Sequence, residues 1–340
     1  MKKFVSLLLC ALLCLSGCAA GNGGASPESV VADPNSSENA GASQEAPSAE
    51  DGLLHVGIIQ LTDHPSLNTI REAFVAQLNA QMGEKVVIET DDAQNDMSNI
   101  NSICQKYVGD GKDLIVAIAT PAAQAAAAAT SEIPVLYSAV SDPQAANLVG
   151  LPNVTGTSDA IPVESIFHLA AELTPDAKTF GLIYNTSEIN SVSVIEGAKA
   201  YMQENGLQFV EATITNSSEL QQSASSLVGK VDAIFTPIDN TVATAMPVLA
   251  GIANMNQLPV YVGADSMVAD GGLATVGIDY SLLGTRTAEM AAEILGGKSP
   301  SEIPFEVLDD YSTILNPQTA KEIGIELSEE ILASAVQLGA

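Results

Sequence analysis

The chain has 340 residues, 46% of them hydrophobic and only 4% aromatic, and its 41 acidic side chains against 12 Lys and Arg give a formal net charge of −29. So negative a surface repels nucleic acid and anionic lipid headgroups, which excludes both as partners. In chain order, Lys2 and Lys3 precede an apolar run over residues 4–15, and the small Ser16 and Gly17 lead to Cys18. This order is that of a bacterial lipoprotein signal. The apolar run, about a dozen residues, falls short of the roughly 20 that a membrane-spanning helix needs. The expectation is a signal peptide over 1–17 and a lipidated Cys18 that anchors the protein at the extracytoplasmic face of the cell membrane. Residues 18–52 are nearly all small or acidic, with too little apolar surface to repay ordering, and read as a tether. Cys10 and Cys14 leave with the signal and Cys104 is then alone, so no intramolecular disulfide is expected.

From Leu53 onward, short β-type runs alternate with amphipathic helical runs, the pattern of a doubly wound α/β fold. Strands are predicted at 54–61, 85–90, 113–119 and 134–140. Leu67, Ile70, Phe74 and Leu78 recur at helical steps and predict a helix over 66–82. A second helix is expected over 95–108 and an alanine-rich one over 122–129, capped by Thr120 with Pro121 at its first position. Residues 150–159 break the alternation, and a domain crossing is placed there. A second series follows, with strands at 179–184, 208–214, 232–236, 259–262 and 273–278 and helices at 163–173, 189–204, 242–255 and 282–295.

Ligands of open α/β sheets sit beyond the carboxyl ends of the strands, so the loops there are the candidates. Polar uncharged groups dominate these loops in the first series and carboxylates in the second, a division that suits a small zwitterion. Its carboxylate is expected at the start of the Pro121 helix with the Thr120 hydroxyl. Its ammonium falls to Asp239, Asp265 or Asp279. Asp142, before Pro143, reads as a turn or cap, and His64 as a hydrogen-bonded loop histidine. The three histidines lack metal-ligand spacing, and no nucleophile elbow, phosphate loop or dinucleotide fingerprint occurs, so neither an enzyme nor a cofactor is expected.

The motifs Gly57-Ile58-Ile59-Gln60 with His64-Pro65, Ala119-Thr120-Pro121-Ala122-Ala123-Gln124 and Val140-Ser141-Asp142-Pro143 continue with Asn153-Val154-Thr155-Gly156, Gly181-Leu182-Ile183-Tyr184-Asn185, Asp239-Asn240 and Gly277-Ile278-Asp279-Tyr280. Together they resemble the ABC-transporter substrate-binding lipoproteins of the tryptophan/tyrosine-permease type, over about residues 53–335. The resemblance implies a type I periplasmic-binding-protein fold of two Rossmann-like lobes joined by a three-crossing hinge near Thr155, Asp279 and Asp310. Lobe 1 is then 53–155 plus 280–309, and lobe 2 is 156–279 plus 310–340. It also implies ligand contacts from Thr62, Thr120, Ala122, Ala123 and Ser141 in lobe 1, from Asn185, Ser187, Asn190, Asp239 and Asp265 in lobe 2, and from Asp279 at the hinge. The expected function is capture of an amino acid, including aromatic ones, by a monomeric receptor that delivers it to an ABC permease. A lipid-anchored sensor signalling to a membrane kinase, and a nucleoside, sugar or peptide ligand, remain open alternatives.

Overall fold

The computed structural model describes residues 52–339, all within one compact unit. The signal peptide over 1–17, Cys18 and all of the tether up to Asp51 lie outside the described residues. The first lobe begins with β1 (Leu54–Gln60), α1 (Pro65–Met82), β2 (Val86–Asp92), α2 (Met97–Gly109), β3 (Leu114–Ile118), α3 (Thr120–Ala129), β4 (Val135–Ser138) and β5 (Val154–Ser158). The chain then builds the second lobe from α4 (Val163–Leu173), β6 (Thr179–Asn185), α5 (Ile189–Glu204), β7 (Gln208–Ile214), α6 (Leu220–Leu227) and β8 (Ala233–Thr236). It goes on through α7 (Asn240–Thr244), α8 (Met246–Met255), β9 (Val260–Val262), α9 (Asp265–Ala269) and β10 (Ala274–Gly277). The last elements are α10 (Tyr280–Leu295), β11 (Glu306–Val307), β12 (Ser312–Leu315), α11 (Pro317–Ile323), α12 (Glu329–Ser334) and β13 (Val336–Gln337).

The sheets run β11-β5-β4-β3-β1-β2 and β13-β12-β10-β9-β8-β6-β7. Each contains the same doubly wound core, with its second strand outside the first, and only the β10–β12 pairing is antiparallel. Helices cover both faces of such sheets, so β3 and β4 are buried at every residue and β3 reads as an unbroken apolar run. No helix among the described residues is long and apolar enough to cross a membrane.

Two helices are exchanged between the lobes. α4 follows β5 of the first sheet but packs on α5 and β10 of the second lobe. Its Phe167 sits 5.1 Å from Phe180 and 5.2 Å from Phe235, between ring centroids. α10 follows β10 of the second sheet but lies along α1 and against β4 and β5 of the first. The contact is close because Gly284 has no side chain: a Cβ there would come 2.4 Å from the Ile70 carbonyl oxygen and 2.9 Å from the Ala73 Cβ. The chain therefore passes between lobes three times, at 159–162, 278–279 and 308–311.

The first passage corrects the expectation of a crossing at Thr155, which lies inside β5. β5 escapes detection because its sequence, VTGTS, is polar although all five residues are buried. Its hydroxyls are satisfied from far along the chain: Thr155 donates to the Ile303 carbonyl at 2.7 Å, and Thr157 lies 2.8 Å from the Thr287 hydroxyl. The helix expected over 242–255 is two helices, broken at Ala245 just ahead of Pro247. Gly284→Val is expected to cost about 3 kcal/mol, because it pushes against backbone rather than a yielding side chain. Thermal denaturation should read this as a drop in Tm of roughly 6–12 °C.

Candidate functional site

The carboxyl ends of both sheets face each other across an enclosed cavity. From the first lobe come His64, Leu67, Thr120, Ser141 and Asp159, and from the second Asn190, Ile238, Asp239, Asn240 and Met267. Tyr280, the first residue of α10, completes the wall. Two non-glycine residues of that wall have left-handed backbone, Ala119 (φ 84°) and Ala139 (φ 57°), at the ends of β3 and β4. Such conformations cost about 1–3 kcal/mol each and are held by their surroundings. Ala119 turns β3 straight into α3, so Thr120 is the first helical residue and not the expected cap; no side chain caps α3.

Two buried carboxylates, Asp159 and Asp239, line the cavity, a third, Glu188, lines the adjoining opening, and the three are provided for very differently. Asp239 caps α7 through the Val242 N–H at 2.9 Å, and its other oxygen accepts the Asn185 N–H at 2.6 Å. Burial, and next the nearby Glu188 charge, raise its pKa. Glu188 accepts from Asn240 N–H (3.0 Å) and Nδ2 (2.7 Å), Thr241 N–H (2.9 Å) and hydroxyl (2.8 Å), and Asn190 Nδ2 (3.4 Å). Asp159, at the end of β5, takes one hydrogen bond from the Ser141 hydroxyl at 2.9 Å and has the Tyr280 hydroxyl beside it. Burial pushes its pKa up to about 6. It has the fewest donors of the three, and so the most free acceptor capacity.

Among the described residues, six buried side-chain polar atoms have no hydrogen-bond partner, and three of them line this cavity: both ring nitrogens of His64 and Oδ1 of Asn190. The lobes also bond directly across the cleft. The Ser66 hydroxyl of α1 lies 2.7 Å from Ser266 Oγ and 3.2 Å from Asp265 Oδ1 on α9. Asn95 Nδ2 donates to the Thr241 hydroxyl at 3.4 Å, and the Ser193 hydroxyl donates to Asp142. Asp142 does serve as a local cap, accepting from the Ala145 N–H at 2.9 Å.

Of the residues expected at the site, Thr120, Ser141, Asn190 and Asp239 line the cavity, while Thr62, Asn185 and Ser187 line an adjoining opening with Asn95, Glu188 and Thr241. The others lie elsewhere. Ala122 and Ala123 are fully buried in the body of α3 and line neither space. Asp265 borders the lobe contact, and Asp279 is exposed and caps α10 through the Ser281 N–H at 2.7 Å. Asp159 went unread because it follows the unread strand β5. No group of three or more His, Cys, Asp or Glu among the described residues is placed to hold a metal ion.

Because the folded-state pKa of Asp159 lies above its unfolded value, the folded protein binds the extra proton. Its contribution to stability therefore falls as pH rises from about 4 to 6 and stays low above that. Asp159→Asn is expected to flatten that slope and to stabilise the ligand-free protein at pH 7.5 by up to about 3 kcal/mol. Melting curves of both proteins across that pH range check it. Ser66→Ala is expected to weaken closure by about 1 kcal/mol, seen as a larger radius of gyration in small-angle scattering.

Residues 55–338 match the family described as ABC transporter substrate binding protein. The chain is 39% identical over 337 residues to the Tyrosine-binding protein of Clostridioides difficile (strain R20291), covering 96% of this chain and 93% of that one. It superposes with a TM-score of 0.81 on an ABC domain in complex with L-Trp from Streptococcus pneumonia, at 36% identity, covering 84% of this chain and 99% of that one. Against the ligand-free, open structure of a substrate-binding protein with adhesive properties from Clostridium difficile, identity rises to 42% at the same coverage, 84% and 99%, but the TM-score falls to 0.66. The lobes thus stand nearer to the arrangement of the L-Trp complex than to the open one. A match through nearly all of the described residues, with relatives this similar over most of their length, makes the chain a member of the ABC transporter substrate-binding protein family.

Proposed function

We propose that the protein is a lipid-anchored receptor that captures an aromatic amino acid between its lobes and delivers it to a membrane ABC permease. The observation that carries this reading is the cavity itself, lined by polar and apolar side chains from both lobes. Asp159 takes the ligand ammonium, since the oxygens of Asp239 and Glu188 are already occupied by protein donors. The ligand carboxylate meets the start of α3, where no side chain competes for the first N–H groups. Leu67, Ile238 and Met267 give the ligand side chain an apolar lining. The names of the relatives, one tyrosine-binding and one bound to L-Trp, agree with this ligand class.

Contacts to both lobes exist only in the closed form, so binding shifts an open–closed equilibrium toward closure, and the permease reads that form. Cys18 would carry the anchor and residues 19–52 the reach. A thermal-shift screen of amino acids, sugars and nucleosides tests the ligand class: tyrosine or tryptophan at a hundredfold its Kd should add about 2.7 kcal/mol of stability. A sugar or nucleoside shift with no amino-acid shift would overturn the reading. Asp159→Asn should bind every amino-acid ligand at least about 30-fold more weakly by calorimetry, as expected when a buried ammonium loses its carboxylate.

A further inference from the structure

We infer that the receptor specifies the amino group of its ligand and leaves the carboxyl end open, so that carboxyl amides and dipeptides of its amino acid are ligands too, their extension occupying the opening beside the cavity. This rests on the amino-acid reading above and deepens it by widening the substrate class. The two spaces meet along neighbouring residues of both lobes. Thr120 lines the cavity and Pro121 the opening, Asn190 the cavity and Glu188 the opening, Asn240 the cavity and Thr241 the opening. A ligand whose carbonyl carbon lies at the start of α3 therefore has the opening next to it. That opening measures about 510 Å³, within the roughly 300–1,000 Å³ of small-molecule sites.

The chemistry of the walls separates the two ends of the ligand. Asp159 meets an ammonium with a full charge, buried and with one hydrogen bond already taken from the Ser141 hydroxyl. No Lys or Arg is among the residues lining either space, so nothing there demands a full negative charge. The N–H groups at the start of α3 bond an amide carbonyl as they bond a carboxylate oxygen, the charge adding only a modest increment. Asn190 brings an independent preference. It is 3% exposed, its Nδ2 donates to the Ile238 carbonyl at 2.9 Å, and its Oδ1 is buried without a partner. That oxygen accepts an amide N–H, which a primary amide or a peptide carries and a carboxylate lacks. The opening beyond is lined by hydroxyls and side-chain amides, among them Thr62, Gln94 and Asn95 of the first lobe and Ser187, Asn216 and Thr244 of the second. Its one charged residue, Glu188, already accepts from protein donors. Neutral donors and acceptors of this kind suit a peptide unit, which has one of each.

Calorimetric titration of the full-length protein with tyrosine, tyrosinamide, tyrosylglycine and N-acetyltyrosine tests this. The amide and the dipeptide should bind within about tenfold of tyrosine, whereas N-acetyltyrosine, which has no ammonium, should bind at least about 30-fold more weakly. Thr244→Trp and Ser217→Trp fill the opening from exposed positions of the second lobe. Each should weaken tyrosylglycine binding by about tenfold or more and leave tyrosine within about threefold of wild type; if one does not fold, the other decides. A wild type that binds tyrosine but loses more than about tenfold on the amide and the dipeptide overturns the open carboxyl end alone. So do Trp variants that weaken tyrosine and the dipeptide alike. A wild type that binds none of the four overturns the aromatic amino-acid reading and the open end with it.

Discussion

The second wall of the cleft is held by two buried carboxylates that meet at the start of the five-residue α7, Asp239 from its own N-cap and Glu188 from the N-cap of α5. Two carboxyl groups this close in a desolvated setting resist carrying two charges at once, which raises the Asp239 pKa, and the pair is held because backbone N–H groups, asparagine amides and a threonine hydroxyl converge on it. The convergence fixes Asn185, Asn190, Asn240 and Thr241, the residues that line the second-lobe side of the site. It also removes both carboxylates from service to a ligand. What the first lobe contributes, a single sparsely bonded Asp159, follows from that exclusion.

The opposite wall is fixed by backbone and not by charge. β3 and β4 end in left-handed alanines, which swing the chain sharply from strand into α3 and into the Ser141 turn. Held this way, the first wall presents N–H groups, hydroxyls and the Asp159 carboxylate, while the second presents asparagine amides and carboxylates already bonded within the protein. The lobe contacts through Ser66, Asn95 and Asp142 hold the two walls in this arrangement.

Much of the fold was legible because a parallel sheet covered on both faces writes itself as unbroken apolar strands between amphipathic helices. β3 and β6 stand within about a residue of their expected bounds for this reason, and β7, a half-exposed edge strand, was found by its β-type composition. β5 was not legible, since its burial is satisfied by Thr287 and Ile303 rather than by apolar neighbours, and local pattern carries no trace of partners so remote. Missing that strand hid Asp159. The strand-end rule did lead to Thr120, Ser141, Asn190 and Asp239, which line the cavity, but sequence does not tell which of several strand-end carboxylates its own backbone has already claimed. Asp279, a helix cap in solvent, and Asp239, a helix cap in the cavity, look alike until burial is known.

The exchanged helices bear on how the molecule comes into being. α10, which covers α1, β4 and β5, is synthesised only after the strands β6 to β10 of the other lobe. A chain emerging from its amino terminus therefore exposes the β4–β5 flank of its first sheet until nearly the whole sequence is available, and neither half can mature by itself. Export in an extended state, with folding delayed until the carboxyl-terminal segments arrive, is the order of events this connectivity favours. A fragment ending before α10 is then an aggregation hazard and not a half-receptor.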